Sequence, residues 1–390
     1  MRSASYEFDG HCLALTLLGS YLTDAYNGDI RCCEEVSKRL VQDVRHGAHA
    51  RKVMESYQTW FGKGPELSVL RILGLFDRPA NANAIGILLK PPAIRSLTES
   101  LTNISPTKWR MILAKLRRAR LLAGEDPHNL GQLDTHPLVR EYFGEQLRTQ
   151  LTNAWKECNR RLYIYYSTLA PQLPDSFREM EPLFLGAIFG CNAGLYRKVL
   201  HEIYLARIQR GNASFAANVL GARGALLSVL CHFFEDGRWD SAVKTGVAGQ
   251  NLMAEDQLFI LIQAALNLSA TRGFSTPEAR LCFKRAESLC RSLDRPPLLY
   301  LALIGQWRYS LLTDNLTATM QIAKRVYSLA EDHNVAAFMV GACNALAATL
   351  YALGDFENAR QYAMRGVQVW NSGRAQSPSE EVDAPGVTCL

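Results

Sequence analysis

The stretch Leu133-Asp134-Thr135-His136-Pro137-Leu138-Val139-Arg140-Glu141-Tyr142-Phe143 decides how the first part of this 390-residue chain is read. Pro137 suits the first position of a helix, where a missing N–H costs nothing. His136 then stands where the first turn leaves backbone N–H groups unclaimed. That end of a helix carries partial positive charge and attracts phosphate, and an imidazole there can donate one more hydrogen bond. Leu138, Tyr142, Phe143 and Leu147 recur at helical spacing and are expected to face inward.

Upstream of it the apolar pattern predicts three more short helices. Leu67, Val69, Leu70 and Leu73 mark one, closed by Asp77-Arg78-Pro79. Ala84, Ile85, Ile87, Leu88 and Leu89 mark a second, stopped by Pro91-Pro92. Ser105 is a good N-cap and Pro106 a good first residue for a third, whose apolar face is Trp109, Ile112, Leu113 and Leu116. Leu121 to Thr135 reads as a short hairpin with the polar tip Glu125-Asp126-Pro127-His128-Asn129. Helix, helix, helix, hairpin, helix is the order of a winged helix. Ahead of it, Leu13 to about Phe61 holds three helical stretches broken at Gly28-Asp29 and Gly47, with Val53, Tyr57, Trp60 and Phe61 on one face of the last.

From about residue 155 the pattern becomes helix pairs. Aligning their second helices gives five anchors, Val199, Ala242, Ala279, Thr319 and Ala359, spaced by 43, 37, 40 and 40 residues. Five before each stand Gly194, Gly237, Phe274, Asp314 and Gly354; seven after stand Ala206, Gly249, Ala286, Val326 and Gly366. Small residues at a crossing let two helices approach closely. The last copy, Leu346 to Arg360 with its turn Gly354-Asp355-Phe356-Glu357-Asn358-Ala359, resembles a tetratricopeptide (TPR) repeat, although the spacing exceeds that repeat's period of about 34 residues. Residues 371–390 are rich in Ser, Pro and Gly and are expected to be disordered.

Two motifs carry a wider resemblance. Thr135-His136-Pro137 resembles the end of the winged helix in STAND-type nucleotide-switch proteins, the NB-ARC group, where the tripeptide is usually Met-His-Asp. Gly10-His11-Cys12-Leu13-Ala14-Leu15 resembles the GxPLAL motif that opens the helical subdomain of the same switch, with Cys12 in place of the proline. The resemblance implies that His136 reaches a bound nucleotide and that Gly10, Cys12 and Leu13 lie beside it. It implies that the repeats receive a signal and that release of ADP permits assembly. No GxxxxGK followed by Ser or Thr occurs in the chain, and Gly62-Lys63-Gly64 is too short to cradle phosphates. Catalysis by this chain alone is therefore not expected. ADP or ATP would bind only with an upstream nucleotide domain supplied.

The expected fold is all-α with one short wing hairpin. It comprises a helical subdomain at 1–62, a winged helix at 63–150, a TPR-like solenoid at 155–370 and a tail at 371–390. The expected partners are proteins, bound through the repeats. The last helix, carrying Tyr362, Val367 and Trp370, is expected to leave an apolar patch that drives partner capture or self-association, because the polar tail cannot cover it.

A different class of function stays open. Lys108, Arg110, Lys115, Arg117, Arg118 and Arg120 make the third helix of the wing basic, as in a winged-helix transcription regulator that reads DNA and senses a ligand through its repeats. The net charge of +6 is too modest to argue for nucleic acid. Ten scattered cysteines with no CxxC pair, and no apolar signal core at the N-terminus, point to free thiols in a reducing cytoplasm. No apolar run suggests a membrane span. His46 and His49 lie one helical turn apart, but no third metal ligand is evident. No Ser-His-Asp or Cys-His arrangement stands out.

Overall fold

A computed structural model describes residues 11–30, 48–246, 251–313 and 316–372. Among these residues the protein is all-α, with two isolated β-bridges and no strand. The chain divides into two compact units, residues 1–165 and 166–390. The expectations for Gly10, His46 and the 373–390 tail fall outside the described residues, as does the middle helical stretch of 13–61.

In the first unit, α1 (Cys12–Tyr26) packs on α2 (Ala48–Phe61). The α1 helix ends at Asn27 in the left-handed region. Ala14, Leu17, Leu18, Tyr21 and Leu22 meet Ala50, Val53, Met54 and Tyr57. Tyr57 is fully buried, and its hydroxyl lies 3.2 Å from both Leu17 O and Ala119 O, joining α1 and α2 to the end of a later helix. Burial pushes the phenol pKa far up, reinforced by Asp24.

The next four helices follow the expected order: α3 (Pro65–Leu73), α4 (Ala82–Leu89), α5 (Pro106–Arg118) and α6 (Pro137–Gln150). Asn81 caps α4 and Ser105 caps α5 through side-chain acceptors. The end of α3 and the middle of α6 touch backbone to backbone: a Cβ on Gly74 would lie 2.3 Å from Gly144 N.

Two expectations are corrected here. The buried residues of α6 are Val139, Phe143, Gln146 and Leu147; Leu138 and Tyr142 are only half-buried. The close approach at Gly144 turns that face toward α3. The wing does not form a ladder either. Leu133 bridges Ala80, just ahead of α4, and one bond from Ala123 N to Asp134 O joins the two arms. The tip is occupied by its own turn, in which Asp126 accepts from His128 N and Asn129 Nδ2. Those groups are unavailable for cross-strand pairing.

Helix α7 (Thr152–Leu169) contains the boundary between the units. In the second unit α8 (Phe177–Asn192) precedes α9 (Tyr196–Lys198), which runs on as π-helix over Val199–Gln209. Within that wide turn Arg207 is 8% exposed and donates to the carbonyls of Ser167, Ala170, Pro171 and Gln172. One guanidinium thus closes the end of α7 and the chain beyond it. Two short helices follow, α10 (Phe215–Asn218) and α11 (Arg223–Leu230).

Six helices then stack in order: α12 (Ala254–Arg272), α13 (Pro277–Leu293), α14 (Pro296–Thr313), α15 (Leu316–His333), α16 (Ala336–Leu353) and α17 (Phe356–Asn371). The α12, α14 and α16 helices are apolar around most of their circumference and form the inner layer. The amphipathic α13, α15 and α17 lie outside them. The anchors Ala279, Thr319 and Ala359 are buried on these outer helices, as are Ala286, Val326 and Gly366 seven residues later. Gly305 on α14 meets the Phe283 ring of α13 so closely that no Cβ would fit.

The two earlier copies depart from the expected repeat. Val199 is buried, but in π-helix, and Ala206 seven residues on is exposed. Ala242 is exposed in a non-helical stretch, and Gly249 is outside the described residues. In the second of these copies the chain turns at Asp236 and Gly237, both at positive φ. It carries Trp239 onto Phe234 and the cluster Leu227, Leu268 and Ala279, so the aromatic residue plugs the end of the array as a loop. The α16 helix is long and apolar enough to cross a membrane by length and composition, contrary to the sequence expectation; here it is packed between α15 and α17.

Candidate functional site

The α6 helix begins at the residue singled out in the sequence. His136 is its N-cap, in extended backbone, and Nδ1 accepts from Leu138 N at 3.2 Å. Thr135 is buried and donates to Leu121 O at 2.6 Å, while Asp134 pairs with Arg140. The turn is therefore fixed on both sides of an exposed imidazole. Because Nδ1 is an acceptor, the proton of the neutral ring resides on Nε2, which is free to donate outward.

The other motif uses the same device. His11 caps α1, with Nδ1 accepting from Ala14 N at 3.2 Å. Cys12 is exposed and Leu13 half-buried. Among the described residues no hydrogen bond joins this end of α1 to His136. That both motifs start a helix with a capping histidine was legible as a shared His-then-helix spacing, but His11 was not singled out.

Three of the six basic residues at α5 and its end make ion pairs inside the unit. Lys115 is 2.8 Å from Glu66 and lies over the Trp60 and Phe61 rings. Arg118 is 2.9 Å from Asp24, and Arg117 reaches Glu125 and Ala123 O. Lys108, Arg110 and Arg120 are exposed. On α2, the buried Arg51 bridges Glu141 and Glu145 of α6.

A cleft of about 660 Å³ opens between the end of α2, the Gly62-Lys63-Gly64 turn, α3, residues 96–100 and Leu151. Gln58 on its wall accepts from Tyr142 Oη and Gln146 Nε2. Arg71, also on its wall, has a fully covered Nε with no hydrogen-bond partner. Burial pulls its pKa below the ordinary guanidinium range. Sequence reading missed Arg71, because a single basic residue on an apolar helix looks like solvated surface.

Among the described residues no group of three or more His, Cys, Asp or Glu could hold a metal ion. Burial pushes the Cys158 and Cys282 thiols up to about 12 and Cys290 to about 11, so all three are protonated at neutral pH.

At the C-terminal end, Val367 and Trp370 pack against Val340 of α16, and Tyr362 meets Tyr327 edge-on at 5.6 Å. These three side chains are half-buried, so each contributes only part of its surface to the expected patch. The exposed face of α17 presents Glu357, Asn358, Arg360, Gln361, Arg365 and Gln368 together with the apolar Phe356 and Met364.

No protein-family model and no curated protein matches the chain. Among solved structures it is similar to a signal transduction ATPase with numerous domains (STAND) from Pyrococcus horikoshii that has a tetratricopeptide repeat sensor. The identity is 14% and the TM-score 0.28, over 91% of this chain and 57% of that one. The chain thus spans little more than half of that protein, and so loose a superposition fixes no residue role.

Proposed function

We propose that this chain is the regulatory portion of a STAND-type nucleotide-switch protein, acting by protein–protein contact through its TPR-like helix pairs and catalysing nothing itself. The reading is carried by His136: an exposed Nε2–H at the positive end of α6, held by Thr135 and its own capping bond. A phosphate placed there would meet a helix N-terminus and an imidazole N–H donor together. In this reading Cys12 and Leu13 at the start of α1 complete the contact, as the motif that also includes Gly10 implies, and ADP or ATP is held only when a P-loop domain is supplied. The helix pairs α12 to α17 are the sensor that meets a protein partner in the cytoplasm. The intramolecular ion pairs of Lys115, Arg117 and Arg118 support this reading over duplex binding, since those charges are already engaged. Two measurements test it. The purified chain should release no phosphate from ATP or GTP above a mock preparation; turnover abolished by a point change in this chain would overturn the proposal. Duplex DNA should show no salt-dependent binding, whose presence would favour the transcription regulator.

A further inference from the structure

The cleft beside α3 has no part in the proposed nucleotide contact, because His136, Cys12 and Leu13 do not line it. Its volume of about 660 Å³ is in the range of small-molecule sites. The telling residue is Arg71. Several sheltered cations of this unit have carboxylates: Arg51 has Glu141 and Glu145, Lys115 has Glu66, Arg140 has Asp134 and Arg161 has Glu157. Among the described residues Arg71, which is half-buried, has none, and its Nε is covered without a partner. An unpaired charge taken out of water is costly, and an anion in the cleft would relieve that cost.

The neighbouring groups match one kind of anion. Ser68 lies one turn before Arg71 on α3, is 9% exposed and among the described residues uses its hydroxyl in no hydrogen bond. Ser96 and Ser100 also line the cleft, and among the described residues their hydroxyls are likewise unengaged. Lys63 is exposed in the glycine-flanked turn and adds a second, mobile cation. A guanidinium, an ammonium and several hydroxyl donors around one space suit the three oxygens of a phosphate group. The remaining charged wall residue, Glu99, is exposed and can accept from a hydroxyl or amine on the rest of the ligand.

We propose that this cleft binds a phosphorylated small molecule bearing hydroxyl groups, with the phosphate seated on Arg71, Ser68 and Lys63 and the body of the ligand toward Glu99. The inference does not depend on the STAND reading.

The full chain, titrated by calorimetry with ribose 5-phosphate and with inorganic phosphate, should bind both saturably, the sugar phosphate more tightly. Arg71→Gln should weaken both by about tenfold or more, the effect of losing a hydrogen bond to a charged group. Glu99→Gln should weaken the sugar phosphate and not inorganic phosphate, which separates recognition of the ligand body from attraction to the anion. Ligand-free Arg71→Gln should melt no lower than the wild type, since it removes a charge that lacks a partner. A wild-type response equal to that of sodium chloride at matched ionic strength would overturn the proposal, as would unchanged affinity in Arg71→Gln. If that variant does not fold, Ser68→Ala and Lys63→Gln decide, and unchanged affinity in both overturns it.

Discussion

At the scale of single residues, two positions can be separated by the substitution chosen. His136 both caps α6 and, in the proposed function, donates to a nucleotide. Asn also caps a helix but cannot place a donor where Nε2 stands. In a protein with the nucleotide domain restored upstream, His136→Asn should keep stability and lower ADP affinity about ten- to a hundredfold, the worth of a hydrogen bond to a charged group. Unchanged affinity by calorimetry would leave His136 as a cap alone. Gly144 has no such latitude. A Cβ there would lie 2.4 Å from Gly74 O, a backbone atom that cannot swing aside. Overpacking usually costs about 1–3 kcal/mol, and Gly144→Ala should lower the urea midpoint accordingly. Alanine normally favours a helix, so an unchanged or raised midpoint would show that α3 and α6 do not cross this closely.

At the scale of elements, the outer helices are tied by a carboxylate. Glu287 on α13 accepts from Gln306 of α14 at 2.7 Å, from Arg291 at 2.9 Å and from Arg325 of α15. Burial raises its pKa, but the bonds to Gln306, Arg325 and Arg291 outweigh this, and the net shift is downward. A depressed folded-state pKa means that the stabilisation is present above the unfolded value and is lost as pH falls through the folded value. Stability measured by denaturant titration should therefore decline on acidification below the ordinary glutamate range. Glu287→Gln should lower stability at neutral pH and flatten that acid limb; a wild-type slope in the variant would show that other carboxylates carry it.

At the scale of the whole molecule, the end of the helix array changes a prediction about assembly. Sequence alone makes Val367 and Trp370 an open patch. In the structure they are half-buried against Val340, and the exposed face of α17 is mostly polar. Replacing them with Gln and Lys should then destabilise the array, by the about 1–3 kcal/mol typical of losing half-buried apolar contacts, without altering the mass in solution. Light scattering on wild type and double variant decides the matter. A wild-type oligomer that the variant dissolves without loss of stability would restore the patch. Apolar side chains that do remain exposed, Tyr351, Phe356 and Met364, lie at the α16–α17 turn and on α17.

What the sequence by itself determined are the features set by neighbours along the chain. Proline at a first helical turn (Pro106, Pro137), Ser105 at a cap and apolar residues at three- and four-residue spacing mark where α5 and α6 begin and that α3 to α6 are helices, because helix formation is governed within one or two turns. His136 was legible for the same reason. Only the tertiary structure decided features that depend on residues far apart. The Gly74–Gly144 contact rotates α6 so that Val139 is buried in place of Leu138. Leu133 pairs with Ala80 instead of closing a hairpin. Trp239 converts one copy of the repeat into a plugged loop, and Arg207 binds carbonyls more than thirty residues before it. Arg71 belongs with these: its charge is written in the sequence, but the absence of a counter-ion is a property of what packs around it, which no local pattern encodes.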